Sequence, residues 1–193
     1  MRLMIDHDSL TGVLSLNGFR KRAEELLKLH PDIPYVISYS NIKNFKYIND
    51  SFGMEAGNEL LRFWAESTQT VISGLDVFAR LEADHFAMLR HITGEGQMNT
   101  DTKLVFEPLR DFFVRRNKKI RVQICTGVYS LSPIDYQDIN IDRIVFCSLY
   151  SVKNTSFTSA RLSSRNCLMT KSSGILSRAM STAVSIPLPF FLF

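Results

Sequence analysis

Apolar side chains recur every three or four positions in four stretches of the chain, a spacing typical of amphipathic helices. The helices predicted from this spacing cover residues 8–29, 53–71, 101–116 and 141–152. Pro108 interrupts the third stretch, and it either kinks that helix or marks its first turn. A short helix is also expected at 43–50, directly after a strand. The chain therefore alternates helices with extended segments.

Strands are predicted where β-branched and aromatic residues follow one another, at 35–42 and 120–128. Two further apolar runs, 77–79 and 86–89, flank a short polar segment and predict a β-hairpin. Its turn is expected to contain Glu82, Ala83, Asp84 and His85. Adjacent ionisable groups at a hairpin tip suggest a functional site. A solvated turn without function is the alternative interpretation.

Composition predicts one globular domain at residues 1–157, followed by a tail or linker at 158–193 that is rich in Ser and Thr and is expected to be partly disordered. All 19 acidic residues lie at or before Asp142, and only four of the 23 basic residues follow Phe157. The predicted domain is therefore balanced in charge, and the net charge of +4 belongs to the tail. This distribution argues against nucleic acid as a partner. A short helix is conceivable at 175–184.

The three cysteines, Cys125, Cys147 and Cys167, have neither the paired spacing of a disulfide framework nor a nearby histidine cluster for zinc. The apolar segment at the start of the chain is too short for a signal peptide, because the first acidic residue is already at position 6. No apolar run approaches the roughly 20 residues of a membrane span. A cytoplasmic location is expected.

Four segments resemble, in order, the motifs of the GGDEF domain family, the diguanylate cyclases that condense two GTP into cyclic di-GMP. The segments are DSLTG at 8–12, NIKNFKYIND at 41–50, GMEAGNELL at 53–61 and RLEADHF at 80–86. Similarity continues at Gly127 and at 148–153, so the resemblance covers about residues 6–154. It implies an α/β (α+β) fold, in which a mostly antiparallel sheet of about five strands is flanked by helices.

The resemblance also implies an altered catalytic site. The family holds its metal with an Asp at the end of the strand, with the next backbone carbonyl and with hairpin acids. The corresponding positions are Asn41, Ile42 and Asp84, which form a relict metal site that is expected to be empty. The family's next strand-end Asp is Lys43 here, and its hairpin Glu is His85. No cofactor is expected, apart from Mg²⁺ if a nucleotide is bound.

The hairpin motif of the family reads G-G-D-E-F, and here it reads Glu82, Ala83, Asp84, His85 and Phe86. Side chains therefore replace two glycines that allow a tight turn and a close nucleotide approach. No catalytic residue set is intact.

Nucleotide recognition is partly retained by resemblance. Asn49 matches the family's base-contacting Asn, whereas Asn58 replaces an Asp. Lys46 and Lys153 match basic positions near the phosphates.

The family's inhibitory R-x-x-D motif falls on residues 73–76. Ser73 stands in place of its Arg, and Asp76 remains. The inhibitory site is therefore incomplete.

The sequence thus predicts a degenerate GGDEF domain that is catalytically inactive and acts as a regulatory or interaction domain with weak GTP binding. One alternative is an active diguanylate cyclase, and another is a dimerisation or partner-binding module without nucleotide. The expected partners are GTP, a second copy of the chain, and a fused or associated EAL phosphodiesterase or sensor domain.

Overall fold

The computed structural model of the chain describes residues 6–93 and 102–154, with side chains in the last helix as far as Leu149. Strands and helices alternate along these residues. In chain order they are α1 (Leu16–Leu29), β1 (Tyr35–Ile42), α2 (Phe45–Phe52), α3 (Met54–Gln69), β2 (Val77–Glu82), β3 (His85–His91), α4 (Glu107–Arg110), β4 (Ile124–Ser130), α5 (Pro133–Gln137) and α6 (Ile141–Asn154).

The sheet has the order β2-β3-β1-β4, and every neighbouring pair is antiparallel. The central strand, β1, pairs with β3 from Tyr35 to Ser40 and with β4 from Val36 to Ile42. The predicted α+β fold with an antiparallel sheet is confirmed. Among the described residues the sheet has four strands, against the five or so that were expected.

Helices cover both faces of the sheet, and β1 has buried side chains on both of its sides. Tyr35 and Ile37 face one way and pack in a core with residues of α1 and α6. Ile42 faces the other way and packs with α3 and with the segment around Phe112. The predicted arrangement of a sheet between two helical layers is therefore correct.

Phe86, the last residue of the hairpin motif, belongs to the core. It is 1% exposed, and its ring lies 4.4 Å from that of Trp64 and 5.3 Å from that of Phe78. Losing such a ring typically costs about 3–5 kcal/mol. Phe86 is thus explained by packing alone.

Helix α1 begins at Leu16, eight residues after the start predicted at residue 8. The carboxylate of Asp8 accepts hydrogen bonds from the amide and the hydroxyl of Thr11, which closes a separate turn. The Ser15 hydroxyl then accepts from the Gly18 amide and caps the helix. The signals near residue 8 therefore belong to a turn.

The helix predicted at 101–116 is instead three short pieces: a π-helical turn at Thr102–Phe106, α4, and a 3₁₀ turn at Val114–Arg116. Pro108 lies in the first turn of α4, where its missing N–H costs nothing, so it marks a helix start. The predicted helix is therefore interrupted, and of the two alternatives for Pro108 the one in which it marks a helix start is correct.

Strand β4 begins at Ile124, four residues after the start predicted at residue 120. The Val122 amide donates to the Arg110 carbonyl at 2.9 Å, which ties Val122 to α4. Neither Cys125 nor Cys147 forms a disulfide within the described residues. Cys167, the tail at 158–193 and the helix considered at 175–184 lie outside the described residues.

Within residues 6–93 and 102–154, no helix combines the length and the apolar character needed to cross a membrane.

Candidate functional site

The hairpin tip is a two-residue turn, Ala83-Asp84, between the ends of β2 and β3. Ala83 has a φ of +45°, a left-handed conformation that strains any residue with a Cβ. Arg80 supports the turn, because its Nε donates to the Ala83 carbonyl at 2.7 Å. Its guanidinium also holds both carboxylate oxygens of Asp8, at 3.0 and 3.1 Å. The segments DSLTG and RLEADHF are thereby joined.

Asp84 lies against the end of β1. Its Oδ2 accepts a hydrogen bond from the Ile42 amide at 2.8 Å, and the residue is 9% exposed. The structure therefore brings together Asp84, Ile42 and the adjacent Asn41, the three positions proposed from the sequence as metal ligands. Within the described residues, no group of three or more His, Cys, Asp or Glu side chains is placed to hold a metal ion.

The His85 side chain packs against β1. Its ring lies 5.4 Å from that of Tyr39, and its buried Nδ1 has no hydrogen-bond partner among the described residues. The exposed carboxylate of Glu82 is 3.6 Å away. Burial, followed by the negative charges of Glu82 and Asp84, raises the pKa of the Tyr39 hydroxyl. Tyr39 was missed from the sequence, although its position in β1 places it beside residue 85.

The junction of β1 and α2 is a tight bend. Asn44 has a φ of +57°, and the Lys43 amide donates to the Gln123 carbonyl at 2.8 Å, which continues the ladder with β4. Lys46 is exposed on the first turn of α2. The side chain of Lys153 lies outside the described residues.

The two residues expected to recognise a base lie next to each other across α2 and α3. A Cβ at Gly57 would collide with Asn49 Oδ1, so Asn49 packs directly against the Gly57 backbone. This oxygen is buried and has no hydrogen-bond partner among the described residues. The Asn58 amide donates to Glu55 Oε2 at 3.4 Å, which leaves the Asn58 carbonyl oxygen as its acceptor.

Asp76, the remaining acid of the inhibitory motif, is enclosed in the fold. Its Oδ2 accepts from the amide and hydroxyl of Ser73 at 2.7 and 3.0 Å and from Arg90 at 3.3 Å. Its Oδ1 accepts from the His91 amide at 3.0 Å and contacts His91 Nδ1 at 2.6 Å. Both carboxylate oxygens are therefore in use.

Electrostatics at Asp76 agree with this enclosure. Burial by itself raises the pKa of the Asp76 carboxyl, but hydrogen bonds from Ser73 and His91 and the Arg90 charge outweigh it and lower that pKa. Arg90 and His91 were missed from the sequence. An Arg followed by a His at the end of an otherwise apolar strand was the available signal.

Comparison with known proteins agrees with the motifs. A family profile described as "Diguanylate cyclase, GGDEF domain" matches residues 5–155. The cyclic di-GMP phosphodiesterase NbdA of Pseudomonas aeruginosa is 26% identical over 138 residues, which is 70% of this chain and 17% of NbdA. A diguanylate cyclase of Vibrio cholerae is 31% identical over 119 residues, 58% of this chain and 35% of that protein.

Solved structures agree on the fold. The crystal structure of the coiled coil and GGDEF domain of DgcB from Caulobacter crescentus, in complex with c-di-GMP, superimposes with a TM-score of 0.60 at 18% identity. The match covers 79% of this chain and 82% of that one. Since the profile spans most of the sequence and the neighbours share its architecture, the chain belongs to the GGDEF family, the diguanylate cyclase domains of cyclic di-GMP signalling.

Proposed function

We propose that this GGDEF domain does not condense GTP and that it acts as a regulatory domain of cyclic di-GMP signalling with weak guanine-nucleotide binding. The observation that carries the proposal is the isolation of the Asp84 carboxylate. Asp84 lies at the end of β1 beside Ile42, and the neighbouring positions that hold acids in the family hold Asn41, Lys43 and His85 here.

The donor set at the hairpin tip does not fit the metal chemistry of a cyclase. Mg²⁺ prefers anionic oxygens in octahedral geometry. The positions available offer one carboxylate, one neutral amide and the Ile42 carbonyl, with the cation of Lys43 next in sequence. A phosphoryl transfer between two nucleotides builds up negative charge that needs divalent cations. We therefore derive no catalytic step at this site.

The nucleotide half of the proposal depends on Asn49. A buried acceptor without a donor is costly, and guanine presents N–H donors on its Watson–Crick edge. Asn49 Oδ1 is such an acceptor, and because it is held against Gly57, a guanine donor reaches it only when the Asn49 side chain turns away from Gly57. Asn58 adds one acceptor oxygen where the family's Asp would add two, so we expect low affinity.

A direct cyclase assay tests the main claim. The protein is incubated with GTP and Mg²⁺ or Mn²⁺, and cyclic di-GMP is measured. No product is expected above a buffer control. A product peak that disappears in Asp84→Ala would overturn the proposal.

The converse experiment restores the site. Asn41→Asp, Lys43→Asp, Glu82→Gly, Ala83→Gly and His85→Glu are combined, and Mn²⁺ binding is measured by calorimetry. We expect metal binding by the combined variant and none by Asn41→Asp alone. If Asn41→Asp alone binds Mn²⁺, the explanation by missing anionic oxygens is wrong.

Titration calorimetry with GTP tests the nucleotide half. We expect weak heat in the wild type, loss of that heat in Asn49→Ala, and no change in Asp50→Ala, a matched substitution on the exposed side of the same helix. If the wild type gives no heat with GTP, with or without Mg²⁺, nucleotide binding is ruled out. The alternative function, a partner-binding module without nucleotide, is then favoured.

Larger assemblies remain predictions. The chain spans 14–17% of the length of the first four relatives that it matches, and those proteins are long. An EAL phosphodiesterase or sensor domain beside this one, and a cytoplasmic location, are expectations from the family resemblance and the composition.

A further inference from the structure

A short turn after α4 concentrates positive charge on one part of the surface. Residues 114–119 read VRRNKK, and all six residues of this basic turn are exposed. The sequence from 112 to 134 contains no acidic residue. The basic turn therefore carries two arginines and two lysines without an acid beside them in the sequence.

The backbone of the basic turn is closed by its own hydrogen bonds. Its first three residues form the 3₁₀ turn, Asn117 has a φ of +58°, and the Lys118 amide donates to the Phe113 carbonyl at 2.9 Å. Phe112 and Phe113, directly before the turn, are 1% and 2% exposed. The turn is thus anchored to the core at the point where it begins.

Two cations of the basic turn lie over buried aromatic rings. The guanidinium carbon of Arg116 lies 3.6 Å from the centroid of the Phe112 ring, and Nη1 donates to the Phe112 carbonyl at 3.2 Å. Lys118 Nζ lies 5.9 Å from the centroid of the Phe52 ring, which stacks on the Phe113 ring at 4.9 Å. Since the rings of Phe112 and Phe113 are 5.0 Å apart, these contacts place both cations on one patch of surface.

The fold does not neutralise this patch with acids. In the described part of the chain, none of the four bases of the basic turn forms an ion pair. Asp111, the nearest acid in the sequence, is paired instead with Arg110 at 3.5 Å and with Arg121 at 3.3 Å. Arg116 gives one of its five N–H donors to the Phe112 carbonyl, so most of its guanidinium stays available to an anion.

An apolar side chain within the charged turn favours a lipid bilayer as the anionic partner. Val114 is 41% exposed and directly precedes Arg115. Anionic headgroups attract Lys and Arg side chains, and the boundary beneath the headgroups takes up an apolar side chain. Single-stranded nucleic acid is usually held by exposed aromatic rings on which bases stack, whereas Phe112 and Phe113 are buried.

We propose that the basic turn binds the surface of a bilayer that contains anionic phospholipids. Its four cations contact the headgroups, and Val114 reaches the acyl boundary. The residues of the turn are not those of the hairpin tip or of the nucleotide site, and the binding requires no nucleotide. The proposal therefore stands or fails separately from the proposed function.

Sedimentation of the full chain with phospholipid vesicles tests the proposal. We expect binding to vesicles with about 30% phosphatidylserine, none to pure phosphatidylcholine, and release as the ionic strength rises from about 0.1 to 0.5 M. A chain that does not bind the phosphatidylserine vesicles would overturn the proposal. Inorganic phosphate, added at the phosphate concentration of the lipid, should not release the chain, and release would indicate a site for a single small anion instead.

Charge reversal tests whether the basic turn is the binding surface. For Arg115→Glu combined with Lys119→Glu we expect vesicle binding at least about tenfold weaker. The matched control, Lys21→Glu combined with Lys28→Glu, changes the net charge equally on α1, which packs on the opposite face of the sheet. The control should stay within about twofold of the wild type, because its charges lie far from the headgroups. Circular dichroism checks that each variant is folded.

Two results of this comparison would overturn the proposal. Equal losses in the two double variants would mean that only the net charge matters. Undiminished binding after the substitutions in the basic turn would assign the binding to another segment, such as the basic tail at 158–193.

Val114→Ser separates a bilayer from an acidic protein as the partner, since it keeps every charge. We expect about threefold weaker binding to phosphatidylserine vesicles, and no change in binding to poly-glutamate. Vesicle binding that Val114→Ser leaves unchanged would contradict the position of Val114 at the acyl boundary. Tighter binding of the wild type to poly-glutamate than to vesicles, at equal charge concentration, would favour an acidic protein segment and overturn the proposal.

Discussion

Asp76 and Asp84 both match acids of the family motifs, but they differ in the hydrogen bonds that their carboxylates accept. Asp76 is 7% exposed and is held by Ser73, Arg90 and His91 through both of its oxygens. Asp84 is similarly buried, but among the described residues its carboxylate accepts one hydrogen bond, from the Ile42 amide. Both carboxylate oxygens of Asp76 therefore accept hydrogen bonds within the fold, whereas in the described part of the chain hydrogen bonding to Asp84 reaches Oδ2 alone.

This difference shows how Asp76, the acid of the inhibitory motif, can have a structural role although Ser73 stands in place of the Arg of that motif. Ser73 replaces the Arg that would grip a ligand, yet its amide and hydroxyl satisfy Asp76 from within the chain. A buried acid with that many donors stabilises the fold whether or not the inhibitory site works. Retention of Asp76 is therefore no evidence of product inhibition.

The largest expected effect comes from removing the charge of Asp76. Asp76→Asn turns one acceptor oxygen into a donor that faces other donors, and it leaves the Arg90 charge unbalanced in the core. We expect a loss of about 3 kcal/mol in the free energy of unfolding, measured by urea denaturation.

Asp84→Asn is the matched comparison. An amide oxygen can still accept from Ile42, so we expect a loss of about 1 kcal/mol or less. Equal losses for the two variants would mean that the contrast between the two acids is wrong.

Lowering the pH should reduce the free energy of unfolding by less than the Asp76→Asn substitution does. The pKa of Asp76 and that of Asp8 both lie below their ordinary value of 3.8, because hydrogen bonds to each outweigh the opposing effect of burial. Their contribution is therefore fully present above that value and is lost as the pH falls through the lowered pKa.

We expect the free energy of unfolding to decline below about pH 4 in the wild type. The decline should be shallower in Asp76→Asn, which has one such group fewer. A pH profile of urea midpoints measures both slopes, and parallel slopes would show that Asp76 does not titrate as its contacts require.

The smallest expected effect is a gain in stability at the hairpin tip. Ala83→Gly relieves a left-handed Ala, and we expect thermal unfolding to show about 0.5–1 kcal/mol of added stability, since the flexibility of Gly in the unfolded chain offsets part of the relief. Ala87→Gly, in the middle of β3, is the control and should lower stability. A loss of stability in Ala83→Gly would contradict the strained turn.

Much of the architecture was predictable because local patterns agreed with the fold. The bounds of β1 were predicted correctly, and the hairpin and α6 were located from apolar runs and spacing. The predicted strand start at residue 120 was wrong, because the Val122 amide donates to the Arg110 carbonyl and β4 begins only at Ile124. A hydrogen bond between distant segments leaves no periodic trace in the sequence.

By itself the sequence determined the family and the replaced residues, because both are matters of residue type and order. Only the tertiary structure showed that Arg80 joins Asp8 to the Ala83 carbonyl, that Asp76 is saturated, and that Asp84 is bonded to Ile42. The reason is physical: the hydrogen-bond donors that approach a carboxylate come from elsewhere in the chain, and they decide how many of its acceptor sites remain for a ligand.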